Sequence, residues 1–171
     1  MIKNSLRILI ILFYICTSGF SHADIQEILI SSSTGIQPSF QFIKDESGDL
    51  TFAKASAISN ELWQNELSGN ANFGMTKNPY WLRFNIKNNT EEHLNLVTSL
   101  DYSQLDDVIF YELSGLKIIR EFTTGDSHPF YPRDLDHPNM SLRVHVAPND
   151  LKTIYIRIQT NGSMILPLKI W

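Results

Sequence analysis

Cysteine is nearly absent: one residue of 171, Cys16, and it lies inside an N-terminal apolar run. If that run is a cleaved export signal, the mature chain has no thiol. Disulfide staples, thiolate nucleophiles and thiolate zinc sites are then excluded, and an exported domain must be held by its core alone. A chain of about 148 residues can build such a core. Clustered positive charge is also missing. Lys and Arg total 14 against 18 Asp and Glu, and removing Lys3 and Arg7 with the signal leaves 12 against 18, a net charge of −6. No run of Lys or Arg remains, so neither nucleic acid nor an anionic membrane surface is an expected partner. Glycine (8) and proline (7) are sparse and do not gather into a linker. There is no Gly-x-Ser-x-Gly, no phosphate-cradling glycine loop and no recognisable triad among the five histidines. Paired carboxylates for glycoside hydrolysis stay open, because their spacing in space is not readable. The expectation is a protein that binds, with no enzymatic activity and no cofactor.

Residues 1–23 have the three parts of a secretory signal. Lys3 and Arg7 are followed by the apolar run Ile8–Ile15, and Ser21-His22-Ala23 places small residues before a cut ahead of Asp24. The run falls well short of the roughly 20 residues that cross a bilayer. Residues 24–171 then read as one domain, without internal repeats. Its first part is the less regular: a strand at Phe40–Ile43, an acidic turn at Asp45–Asp49, helical spacing over Phe52–Glu66 and a Gly/Asn-rich loop at Ser68–Pro79.

From Pro79 onward the pattern is strand after strand: Tyr80–Lys87, Leu94–Leu100, Asp107–Leu113, Leu116–Phe122, Met140–Ala147, Lys152–Thr160 and Met164–Trp171. Leu82, Phe84 and Ile86 alternate with Trp81, Arg83 and Asn85. Leu142, Val144 and Val146 alternate with Ser141, Arg143 and His145, and Ile154, Ile156 and Ile158 with Tyr155, Arg157 and Gln159. Period-two alternation marks strands with one buried face. Ser114-Gly115 and Pro148-Asn149-Asp150 supply tight turns, and Thr123–Asn139 is one long connection with three prolines. The fold class is therefore all-β: an antiparallel β-sandwich with jelly-roll-like wiring and a short N-terminal helix and loop segment.

The second face carries aromatic and arginine side chains. Sugar rings stack their C–H faces on Trp and Tyr, and their hydroxyls need charged or amide partners; arginine also holds carboxylates in a fork. Trp81, Arg83, Asn85, Arg143, Tyr155 and Arg157 form this candidate ligand surface, with Arg133 of the long loop added. The competing reading packs the same side chains under loops or under the N-terminal segment, with the arginines paired to Asp101, Asp106 or Asp107. Asp101–Asp107 offers oxygens to calcium but lacks the usual loop spacing, and His128, Asp134, Asp136 and His137 fit no tight zinc motif. No metal is expected.

Asp45-Glu46-Ser47-Gly48, Asn72-Phe73-Gly74, Tyr80-Trp81-Leu82-Arg83-Phe84 and Leu105-Asp106-Asp107-Val108 stand in this order along the chain. They are followed by Thr124-Gly125-Asp126 with Pro129-Phe130 and Arg133, Ile154-Tyr155-Ile156-Arg157, Asn161-Gly162-Ser163 and Leu166–Trp171. Over residues 40–171 the chain resembles the extracytoplasmic sensory domain of seven-transmembrane bacterial receptors of the DISM type, second subclass (7TMR-DISMED2). The resemblance implies a carbohydrate-binding-module-like jelly roll at the periplasmic face of the inner membrane. It also implies a small-molecule or carbohydrate ligand and a histidine kinase or diguanylate cyclase output. The seven helices would follow Trp171, so a fragment of a longer receptor is expected, with Met164–Trp171 as the link to them and Pro167 and Trp171 as transmission residues. The alternatives are a secreted carbohydrate-binding or adhesive module without a membrane part, and a homodimer formed through the aromatic face.

Overall fold

The computed structural model describes residues 25, 27–30, 35–129, 134, 135, 137 and 139–171. The expected signal segment and Arg133 lie outside the described residues. Among the described residues there are eleven strands: β1 (Glu27–Ile30), β2 (Phe40–Lys44), β3 (Gln64–Glu66), β4 (Asn70–Met75), β5 (Tyr80–Asn88), β6 (Leu94–Leu100), β7 (Asp107–Ser114), β8 (Lys117–Thr124), β9 (Met140–Val146), β10 (Leu151–Gln159) and β11 (Ser163–Ile170). They form two sheets. One runs β3-β2-β5-β10-β7-β8, and β1 pairs in parallel with the second half of β5, beside β2 on the same edge. The other runs β4-β11-β6-β9. The long-range ladders other than that of β1 are antiparallel, so the architecture is the expected β-sandwich.

The alternation read from the sequence is the cause of the sandwich. Leu82, Phe84, Ile86, Ile154, Ile156 and Ile158 point inward from the larger sheet, and Leu142, Val144, Leu166, Leu168 and Ile170 meet them from the smaller one. These side chains are essentially fully buried, and each contributes about 1.5–3 kcal/mol by leaving water. The hairpin turns behave as their residues dictate: Gly115 and Asn149 both take left-handed backbone, at φ 59° each. The Thr123–Asn139 connection is stitched at its start by Asp126 N–H to the Leu105 carbonyl (2.7 Å) and Ser127 N–H to the Asp106 carbonyl (3.0 Å).

Two local readings are corrected. The helix over Phe52–Glu66 shrinks to α1 (Phe52–Ser56), capped by Thr51; a 3-10 turn at Asn60–Leu62 and strand β3 follow. Ser59 and Asn60 are weak helix formers, and the side chain of Asn60 is taken up by Arg83 Nη2 and that of Ser59 by the Glu61 carboxylate. The Ser68–Pro79 loop contains β4, which borrows its regularity from pairing with β11 rather than from its own Asn/Gly-rich sequence. Strand β1 was not expected at all.

Candidate functional site

The outer face of the larger sheet is a second core. Trp81, Tyr155, Tyr111 and Leu113 are buried there together with Ala55 of α1 and Trp63, with Phe52, Leu50 and Ile58 packed against them. Trp81 stacks on Tyr111 at 5.8 Å, and Trp63 meets Tyr155 edge-on at 6.0 Å. Arg83, 1% exposed, lies with its guanidinium 4.1 Å from the centre of the Trp63 ring. Its Nε donates to Gln41 Oε1 and its Nη2 to Asn60 Oδ1, both at 2.9 Å. Burial lowers its pKa, while the Tyr155 hydroxyl works the other way. Trp81, Arg83 and Tyr155 therefore do not form an open platform. The segment from Asp45 to Trp63 covers them, because burying Phe52 and Trp63 on an aromatic sheet face removes both surfaces from water. That is the competing reading of the same residues, and it also removes Trp81 as the centre of a dimer contact.

The other candidates scatter. Half-buried Asn85 accepts a hydrogen bond from Thr153 Oγ1 at 2.8 Å. Arg157 donates to Asp107 Oδ2 at 3.2 Å and to Gln159 Oε1 at 3.0 Å, and His128 Nε2 lies 2.6 Å from Asp107 Oδ1. Exposed Arg143 is on β9 in the opposite sheet and cannot join the rest. Openings of about 350 and 270 Å³ remain on the covered face: the first lies between residues 48–52 and the sheet, with Trp81, Tyr111 and Arg157 in its lining, and the second is lined by Phe52, Leu113, Thr153 and Tyr155 among others. Acids of the two segments weighed for metals have separate partners: Asp106 accepts from Asn161, Asp107 from Arg157, and Asp134 from Arg120. Among the described residues no three His, Cys, Asp or Glu side chains gather as a metal site.

A different place assembles aromatic and polar groups. A cavity of about 400 Å³ at one end of the sandwich is walled by Gly35–Gln37, Asp101, His137, Asn139, Lys169 and Trp171. Alternation along β11 sends Leu168 and Ile170 into the core and leaves Lys169 and the residue after it, Trp171, outside. The end of β11 is fixed on both sides. Ile36 and Ile170 exchange backbone hydrogen bonds (2.8 and 3.0 Å), and so do Val97 and Trp171 (2.6 and 3.1 Å). Asp101 sits at the end of β6, its N–H donating to the Pro167 carbonyl at 2.9 Å. Its Oδ1 accepts from Ser99 Oγ (2.8 Å) and Asn139 Nδ2 (2.9 Å), and its Oδ2 pairs with Lys169 Nζ at 2.6 Å. Burial pushes the Asp101 carboxyl up, but Lys169, Ser99 and Asn139 outweigh it and hold it below the usual value, so it is an anion at neutral pH. Trp171 is 47% exposed, donates from Nε1 to Ser99 Oγ at 3.3 Å, and has the His137 ring 6.3 Å away at a steep angle.

Sequence reasoning named Asp101, His137 and Trp171 for other roles and left out Lys169 and Asn139. The available signal was the pairing of Lys169 and Trp171 on the outer face of one strand; the rest comes from segments 30 or more residues apart in the chain.

Two sheets packed over a closed apolar core, with a polar and aromatic cavity walled by the final strand, define a β-sandwich module. The chain belongs to the family described as 7TMR-DISM extracellular 2, which it matches over residues 37–171. That family is the extracellular sensory domain of 7TMR-DISM receptors, which implies an exported, outward-facing location. No curated protein matches the chain. Among the described residues no helix is long and apolar enough to cross a membrane.

Proposed function

We propose that the chain is the ligand-sensing domain of a bacterial seven-transmembrane receptor with histidine kinase or diguanylate cyclase output. It faces the periplasm and acts by binding rather than by catalysis. Its ligand is a carbohydrate-like or carboxylate-bearing small molecule held in the cavity at the end of β11. One observation carries the reading: the last strand supplies Lys169 and Trp171 to the cavity wall, so occupancy and the position of that strand are physically linked. A ligand shifts an output only through different affinities for the two signalling states. A site on the strand proposed to couple to the receptor's helices gives it that leverage.

Trp171 therefore has a binding role beside the transmission role expected of it, and Pro167, which receives the Asp101 amide, is left as the residue to separate the two. The test is titration of the chain with monosaccharides and sugar acids, followed by tryptophan fluorescence. Saturable binding that Trp171→Ala removes, with the melting temperature unchanged, is the expected result. A ligand that binds Trp171→Ala as tightly as the parent chain would place the site elsewhere.

A further inference from the structure

We propose that the cavity selects a ligand bearing a carboxylate, which takes the place of Asp101 on the Lys169 ammonium. The inference rests on the cavity being the ligand site. The Lys169 ammonium has three donors, and among the described residues one is used, on Asp101 Oδ2. The Asp101 carboxylate already receives three: Ser99 and Asn139 on Oδ1 and Lys169 on Oδ2. What the pair still offers is mainly N–H, on a side chain 43% exposed. Such a pair calls for an acceptor rather than a donor.

Asp101 is not left without partners when Lys169 turns away. Removing one member of an ion pair is costly where it leaves the other charge without partners. Here Asp101 keeps the Ser99 hydroxyl at 2.8 Å and the Asn139 amide at 2.9 Å, so the exchange strands no charge. The half-exposed Trp171 ring and Ile36 supply the apolar surface against which the body of the ligand rests. A polyol without charge can use that surface but has no reason to break the pair. The exchange also has a structural result: Lys169–Asp101 is the side-chain tie between the end of β11 and the turn after β6. An acid in the cavity loosens this tie, which gives ligand binding a direct effect on the last strand.

The test compares glucuronate, glucose and glucosamine as probes on the chain, read by calorimetry and by the NMR signal of the Trp171 indole N–H. Glucuronate is expected to bind about tenfold more tightly than glucose, the scale of a charge-assisted hydrogen bond, and the preference should weaken with salt. Lys169→Gln should remove the preference for glucuronate over glucose, and Asp101→Asn should strengthen glucuronate binding by removing its competitor. The two variants move in opposite directions, so loss of fold in one cannot imitate the result. Equal binding of glucose or glucosamine, with the indole signal perturbed, would overturn the carboxylate exchange and leave the cavity standing as the site. No perturbation of the indole by any of the three would overturn both readings.

Discussion

Asp45 offers a measurable test of how the covering segment is held down. It is 1% exposed and takes four hydrogen bonds: from Ser47 N–H (3.1 Å), Ser47 Oγ (2.8 Å) and Gly48 N–H (2.8 Å) on Oδ1, and from Leu50 N–H (2.9 Å) on Oδ2. Asp45→Asn preserves the shape and the three bonds to Oδ1. It replaces the acceptor facing Leu50 by an NH₂ group, so a donor meets a donor. The loss of one charge-assisted bond at a buried site costs about 2 kcal/mol. With a urea dependence near 2 kcal/mol per molar, the midpoint should fall by about 1 M. Burial pushes the Asp45 carboxyl up, but the Ser47 hydroxyl and the amides of Leu50, Gly48 and Ser47 prevail, and its pKa lies below the usual value. A depressed carboxylate contributes stability that is complete above its unfolded pKa, about 3.9, and is lost as pH falls through the folded value. The gap between parent and Asp45→Asn should therefore be full at pH 7 and close as the solution is made more acid than about pH 4. Urea titrations followed by tryptophan fluorescence at a series of pH values measure it. A gap below about 0.5 kcal/mol at pH 7, or one that stays constant down to pH 3, would refute the argument.

Two further outcomes concern the same scaffold. Trp63→Ala strips the cover from Arg83 and opens a large void in the second core, so it should cost about 3–5 kcal/mol in a reversible melt. Trp63→Phe should cost well under half of that, since the Trp63 Nε1 has no hydrogen-bond partner to lose; similar losses for the two would show that ring packing is not what holds the segment. Gly125→Ala should be severe, about 3 kcal/mol or more by urea midpoint, because at φ 136° its added methyl would lie 2.2 Å from the Asp106 carbonyl oxygen. Near-parent stability of this variant would mean that the start of the long connection is free to move away from Asp106.

The seven strands from Tyr80 onward were legible because β5, β9 and β10 carry clear alternation and turn residues separate most of the set, and those two signals are local. Strand β4 was not, since Asn70–Met75 has only Ala71 buried and takes its conformation from a partner nearly a hundred residues later. Strand β1 is four residues long, too short for a period to show. The unusual chemistry of the outer face was also visible, as a set of aromatic and arginine residues on odd positions. Its fate was not. Whether such a face meets a ligand or the chain's own Phe52 and Trp63 depends on where the segment from Asp45 to Trp63 travels, and alternation says nothing of that. The cavity was hidden for a related reason: Ile36, Asp101, Asn139 and Trp171 come together through sheet topology, and no stretch of sequence contains more than two of its side chains.

The pairing of the end of β11 has a mechanical meaning. Its tip is laced to Ile36 on one flank and to Val97 on the other, with Leu168 and Lys169 in register with Leu100 and Ser99 just behind. A pull directed along the strand loads these bonds in shear, all of them together, whereas a sideways pull would peel them open one after another. The strand therefore behaves as a stiff rod toward axial force and as a zipper toward lateral force. A push or pull along its length reaches the centre of the smaller sheet with little lost to stretching on the way.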